Sequence, residues 1–245
     1  MKMKHLKTFF GMLILIAAVS CNKAQQAGDG HVSFGVYNDD SVVDVTRSAV
    51  SSYTTLPQKG DFSIDIKNAS SQTVWKGNVG DWDPAMPLLA GNYSVTAWYG
   101  DIEEEGFDKP YFTGSASFAI AGGETKSVSV PVSLGNTVVM VSCTEAFRNY
   151  YKNYTFKLTR NNAEIVTFAK GETKAAFVDG YKFTLEGVLE AETKTYDFTR
   201  ECTNLDPATA YTFLFDVTST GSASITISFN HKVETVELGD YELND

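Results

Sequence analysis

Five carboxylates crowd one short stretch of this chain. Asp101, Glu103, Glu104, Glu105 and Asp108 all fall within GDIEEEGFDKPYFTG, residues 100–114. Three kinds of chemistry use such a cluster. Two carboxylates about 5–10 Å apart on either side of a cleft would suit glycoside hydrolysis. A loop supplying six or more oxygens would suit calcium. The third use is structural: a solvated connection between strands, with Gly100, Gly106 and Pro110 setting its turns. If 102–105 were extended, Glu103 and Glu105 would share a face and Glu104 would oppose them. The spacing lacks the D-x-D-x-D-G order of an EF-hand. The residue types favour the structural loop and leave the cation and the hydrolytic pair as alternatives. Aromatic residues supply the candidate sugar contacts, Trp75, Trp98 and Tyr111, which would stack on pyranose rings if they shared a surface. Their other use is core packing.

Other chemistry has less to work with. His5 lies in the N-terminal segment, and His31 and His231 stand alone, so no pair has metal-ligand spacing. HExxH, Walker and GxSxG motifs are absent from the sequence. Neither Cys143 nor Cys202 has a neighbouring histidine or basic cluster in sequence to activate a thiolate. These readings predict no catalytic residue, no metal, no cofactor and no enzyme activity. Cys143 and Cys202 are a candidate disulfide, because an exported chain can oxidise such a pair. The bond would contribute roughly 4 kcal/mol. Two thiols, each in its own strand, is the alternative.

The elements that position these residues are strands. Apolar residues alternate at Val32/Phe34/Val36, Phe62/Ile64/Ile66, Tyr93/Val95/Ala97, Val128/Val130/Val132 and Tyr211/Phe213/Phe215. That period of two marks half-buried strands of antiparallel sheets. Turn residues separate them at Gly60-Asp61, Gly122-Gly123, Gly135-Asn136, Asn161-Asn162 and Asp179-Gly180. Pro131, inside a valine run, predicts an edge or a bulge. One helix is expected, on the surface from Thr144 to Lys152, with Thr144 as its cap. FAIAGGETKSVSV (118–130) echoes FAKGETKAAFV (168–178). The echo is either chance among turn-prone residues or the mark of two similar β domains. On the second reading the chain divides into sandwiches at 31–135 and 136–245, each of a length that suits about seven strands.

The N-terminus reads as a secretion signal, residues 1–20. Lys2, Lys4 and Lys7 precede a short apolar run, Phe9 to Val19, too short for a stable membrane-spanning helix. Ala18-Val19-Ser20-Cys21 resembles a lipobox in the loosened form familiar from Bacteroidota lipoproteins. Cys21 would then carry a thioether-linked diacylglyceryl group and palmitate, and hold the protein to the outer membrane or cell surface. Residues 21–30 are small and polar and read as a flexible tether. The chain has 20 basic and 30 acidic residues; without the three lysines of the signal, 17 basic residues remain and the net charge is −13. Such an acidic surface excludes nucleic acid as a partner, because phosphate binding needs a basic one.

Finally, LLAGNYSVTAWYGD (88–101), EEEGFDKPYFTGSASFAI (103–120) and ETKSVSVPVSLGNTVVMVS (124–142) resemble a family of gut Bacteroidota lipoproteins classed by a domain of unknown function. The resemblance runs over about 31–245 and is most specific over 88–142. It implies tandem β-sandwiches similar to fimbrillin-like surface proteins, the first transthyretin-like. It also implies that GFDKPYF is a strand-to-strand connection. Fimbrillin-like pilins mature by cleavage after an arginine, which frees a strand groove for the next subunit. Arg47, in VTRS (45–48), sits similarly, and ETVELGDYELND (234–245) is a candidate donor strand. The resemblance thus implies an adhesin-like protein or a component of a pilus-like assembly, with protein partners added strand to strand. The alternative is a carbohydrate-binding lipoprotein engaged in glycan capture.

Overall fold

A computed structural model of the chain describes residues 28–38, 50–217, 223–229 and 232–237. The fold is all-β, two β-sandwiches in tandem. The first half supplies β1 (Asp29–Asn38), β2 (Ser63–Asn68), β3 (Thr73–Asn78), β4 (Pro87–Leu89), β5 (Gly91–Tyr99), β6 (Gly106–Phe107), β7 (Phe112–Ile120) and β8 (Thr125–Leu134). The second supplies β9 (Thr137–Cys143), α1 (Glu145–Tyr150), β10 (Asn153–Arg160), β11 (Ala163–Ala169), β12 (Ala176–Val178), β13 (Lys182–Glu190), β14 (Thr195–Thr203), β15 (Ala210–Val217), β16 (Ala223–Phe229) and β17 (Lys232–Glu237).

Seven strands form one sheet in the order β3-β2-β5-β7-β8-β1-β4. It folds over between β7 and β8, which pair only at Phe112–Leu134 and Thr113–Ser133. The two leaves pack through Phe34 of β1 against Phe118 of β7, with ring centroids 5.8 Å apart. Pro131 sits just past this short ladder, where its missing N–H costs nothing on the β7 side. At the crossing the backbones almost touch: a Cβ on Gly114 would lie 1.8 Å from the Pro131 carbonyl oxygen. In the second sandwich a sheet β11-β10-β13-β14 faces a sheet β17-β16-β15-β9-β12-β6. Phe156 of β10 stacks on Phe215 of β15 at 4.0 Å between centroids.

The alternating residues face inward as their period requires: Phe62, Ile64, Ile66, Val95 and Ala97 have no exposed surface. Two pairings depart from the antiparallel expectation. β1 runs parallel to β8, and β9 runs parallel to β15. Alternation reports which face is buried, and it is the same for either direction, so the sequence pattern carried no information on this point. The helix is also less superficial than expected. The Thr144 hydroxyl accepts the Phe147 N–H at 3.1 Å, as an N-cap should. Yet Phe147 and Tyr151 are fully buried, so α1 plugs the end of the second sandwich.

Candidate functional site

The acidic stretch is a strap that leaves the first sandwich and grips the second. Residues 102–103 turn, and β6 then pairs antiparallel with β12, Gly106 opposite Phe177 and Phe107 opposite Ala176. Residues 102–105 are therefore not a strand, and Glu103 and Glu105 do not share the face that an extended segment would have given them. Asp101, Glu104, Glu105 and Asp108 each have a partner of their own. Asp101 closes the turn, its carboxylate accepting the Glu103 N–H at 3.0 Å and its carbonyl the Glu104 N–H at 3.1 Å. Glu104 pairs with Lys109 at 2.6 Å in solvent, and Asp108 with Lys174 at 3.1 Å, also in solvent. Phe107 sets its ring edge-on against Phe168, 5.2 Å away.

Glu105 is the exception, because it is nearly buried; its side chain is 10% exposed. One carboxylate oxygen meets the Arg160 guanidinium at 2.5 Å and the other accepts the Asp179 N–H at 2.6 Å. Arg160 also donates to the carbonyls of Asp179 (2.7 Å) and Lys182 (2.8 Å). All four groups are thus satisfied by one another, which is what a charge pair removed from water requires. Burial pushes the Glu105 carboxyl above its ordinary value, and the Asp179 N–H and Arg160 only partly counter it. Among the described residues, no three His, Cys, Asp or Glu side chains are placed to hold a metal ion. Arg160 was not legible as part of the site: it ends an ordinary strand and meets a residue 55 positions earlier.

The three candidate sugar-contact aromatics occupy three different places. Trp75 is in register with Ile66 on the inward face of its sheet, and packs edge-on against Trp82 at 5.1 Å. Trp82 in turn donates its indole N–H to the Val32 carbonyl at 2.8 Å. Trp98 follows Tyr93, Val95 and Ala97 by alternation onto the outward face, half-exposed, with the Lys76 ammonium 5.3 Å from its ring centre. Tyr111 lies at the junction of the sandwiches, half-buried against Gly135, and donates its N–H to the Asn136 side chain. Cys143 and Cys202 sit on strands of the two facing sheets, β9 and β14, and both are thiols rather than a disulfide. Burial pushes the Cys143 thiol up to about 11, against the pull of the Tyr154 hydroxyl and Arg148, so it makes little thiolate near neutrality. Cys21 and Arg47 lie outside the described residues. Among the described residues no helix is long and apolar enough to cross a membrane.

A family model described as a domain of unknown function, DUF4493, matches residues 28–239. A fimbrial assembly protein from Parabacteroides distasonis is similar in structure with a TM-score of 0.50 at 9% identity, over 86% of this chain and 98% of that one. A chain from Bacteroides ovatus, provisionally named a cell adhesion protein, gives 0.45 at 12% identity, over 88% of this chain and 100% of that one. One from Bacteroides thetaiotaomicron, provisionally named polysaccharide binding, gives 0.44 at 9%, over 88% and 99%. At 9% identity the likeness to the fimbrial assembly protein is one of fold alone. No curated protein matches the sequence.

Proposed function

The chain belongs to the DUF4493 family, and on that premise we propose that it is a non-enzymatic, lipid-anchored cell-envelope protein, adhesin-like or a component of a pilus-like assembly. The observation that carries this reading is the place of β1. It lies between β4 and β8, with Val32, Phe34 and Val36 turned into the core at 1%, 7% and 7% exposure. Among the described residues it is the one strand that precedes Arg47. A cut after Arg47 would sever β1 from the rest of the chain. Its departure would open a slot with two unpaired edges and an apolar floor, which a strand from another molecule would fill. The fold is shared with a protein named for fimbrial assembly. On this reading acylated Cys21 holds the uncut chain to the outer membrane or cell surface, residues 31–135 form the domain that gives up β1 on cleavage and receives a strand in its place, and 136–245 form the second.

The test begins with the N-terminus. Mass spectrometry of the protein from its own membranes should find either an acylated Cys21 or a chain starting at Ser48. Acylated Cys21 alone marks a resident lipoprotein of adhesin type, whereas Ser48 without lipid places assembly first. Purified protein trimmed at Arg47 should then associate into filaments or oligomers in electron micrographs, and a trimmed protein that stays monomeric rules out the pilus version. Glycan capture has one observation in its favour, the half-exposed Trp98 on the outer face. Binding on a glycan array that Trp98→Ala abolishes would raise that reading to first place.

A further inference from the structure

Only Gly135 and Asn136 connect β8 to β9, so the two sandwiches meet at a joint with almost no chain in it. A joint of that kind bends unless contacts on either side of it hold the bodies together. Here they come from three directions. Apolar side chains of the second half, Val138, Phe177 and Ala210, are buried in the same core cluster as the residues of the first sandwich. At the joint itself Asn136 is fully buried. Its carbonyl accepts the Ala208 N–H at 2.8 Å, its side-chain oxygen accepts the Tyr111 N–H, and the neighbouring Thr137 hydroxyl donates to the Asp206 carbonyl at 2.9 Å. Two strands over from β9 the strap crosses, with β6 laid on β12 and Glu105 sealed to Arg160 and Asp179.

The geometry points to a lock: the strap, residues 101–110, fixes the two sandwiches as one body, so that they open together and the joint carries load without bending. The physical reason is placement. The strap holds the second sandwich at β12 and, through Arg160, at β10 of the facing sheet, so the joint on β9 is not its single attachment, and a body with more than one attachment loses the rotation that one leaves it. Because its side chain is nearly out of water, the Glu105–Arg160 pair holds at salt concentrations that screen the exposed pairs Asp108–Lys174 and Glu104–Lys109. This lock is independent of lipid anchoring and of cleavage at Arg47.

Calorimetry of the whole mature chain tests it. The wild type should melt in a single transition with equal calorimetric and van't Hoff enthalpies. Arg160→Met should split that transition in two. Glu105→Gln, which keeps volume and can still accept the Asp179 N–H but loses the charge and one acceptor towards Arg160, serves should Arg160→Met not fold. Its readout is hydrogen exchange at Val95 in the first core and Leu185 in the second. Their protection should be alike in the wild type and differ by at least about tenfold in the variant. Two transitions in the wild type would overturn the lock. So would a single transition in Arg160→Met, or, if that variant does not fold, matched protection in Glu105→Gln, since either means that the apolar contact and the joint couple the bodies without the strap.

Discussion

Gly-Glu-Thr-Lys occurs twice, at 123–126 between β7 and β8 and at 171–174 between β11 and β12, and both copies make the same turn. The glutamate N–H reaches back to an alanine carbonyl three residues earlier, Glu124 to Ala121 at 3.1 Å and Glu172 to Ala169 at 2.9 Å. In each the glycine takes the left-handed region, φ +76° at Gly123 and +83° at Gly171. Each turn also carries the chain from one layer of its sandwich to the other. What the side chains do then differs. Glu124 caps the Ala121 N–H, and its carbonyl accepts His31 N–H from β1. Glu172 caps Thr173 and Lys174 just ahead of it. Lys126 stays local, on the Ala119 carbonyl, whereas Lys174 reaches Asp108 on the strap. The first turn is docked by a strand from the N-terminus and the second faces the strap, so the same four residues specify a corner and leave its use to whatever segment lies against it.

The largest expected effect comes from the crossing of β8 over β7 beyond the first corner, which has no counterpart at the second. Gly114→Ala would drive a Cβ into the Pro131 carbonyl there. Backbone cannot yield as a side chain does, so the loss should reach about 3 kcal/mol in urea unfolding. Next comes the strap near the second corner. Arg160→Ala leaves the Glu105 carboxylate with the Asp179 N–H alone, and should cost about 2 kcal/mol, discounted for the partial exposure of Arg160. This deficit should depend on pH. Glu105 is already raised above its ordinary 4.5 by burial, and loss of Arg160 raises it further. A raised carboxyl favours the folded state most below its unfolded value, and that contribution is lost as pH climbs through the folded value. The gap between variant and wild type should therefore be widest near about pH 7 and narrow as pH falls toward about 5.

The turns themselves should respond alike. Gly123→Ala and Gly171→Ala meet no neighbouring atom but force a left-handed φ on a residue with a Cβ, which should cost about 1 kcal/mol each. A clear inequality in melting temperature between the two would break the equivalence of the corners. The smallest effects belong to the lysines. Lys126→Ala and Lys174→Ala remove exposed partners, and each should change stability by less than about 0.5 kcal/mol, with the Lys174 effect fading in high salt.

These residues also divide what was legible from what was not. The inward faces, the corner glycines and the Thr144 cap could be read because each depends on a residue and its near neighbours. Trp75 and Trp98 could not be assigned to a shared or a separate surface, since that depends on the register of β2 with β3 and β5, and a shift between Ile66 and Lys67 resets it. The acidic stretch was legible as a connection with Gly and Pro turns, but Glu105 could not be singled out from Glu103 and Glu104. All three have the same chemistry, and only Glu105 meets an arginine 55 residues further along the chain.

By itself, then, the sequence determined the all-β character, the buried face of each strand and the sites of the turns, because alternation and φ preference act over a few residues. The tertiary structure decided strand direction, the parallel seating of β1 beside β8 and of β9 beside β15, and which acid of the strap left water. Those outcomes depend on which distant segments close upon one another, and every candidate pairing of two alternating strands buries the same local pattern.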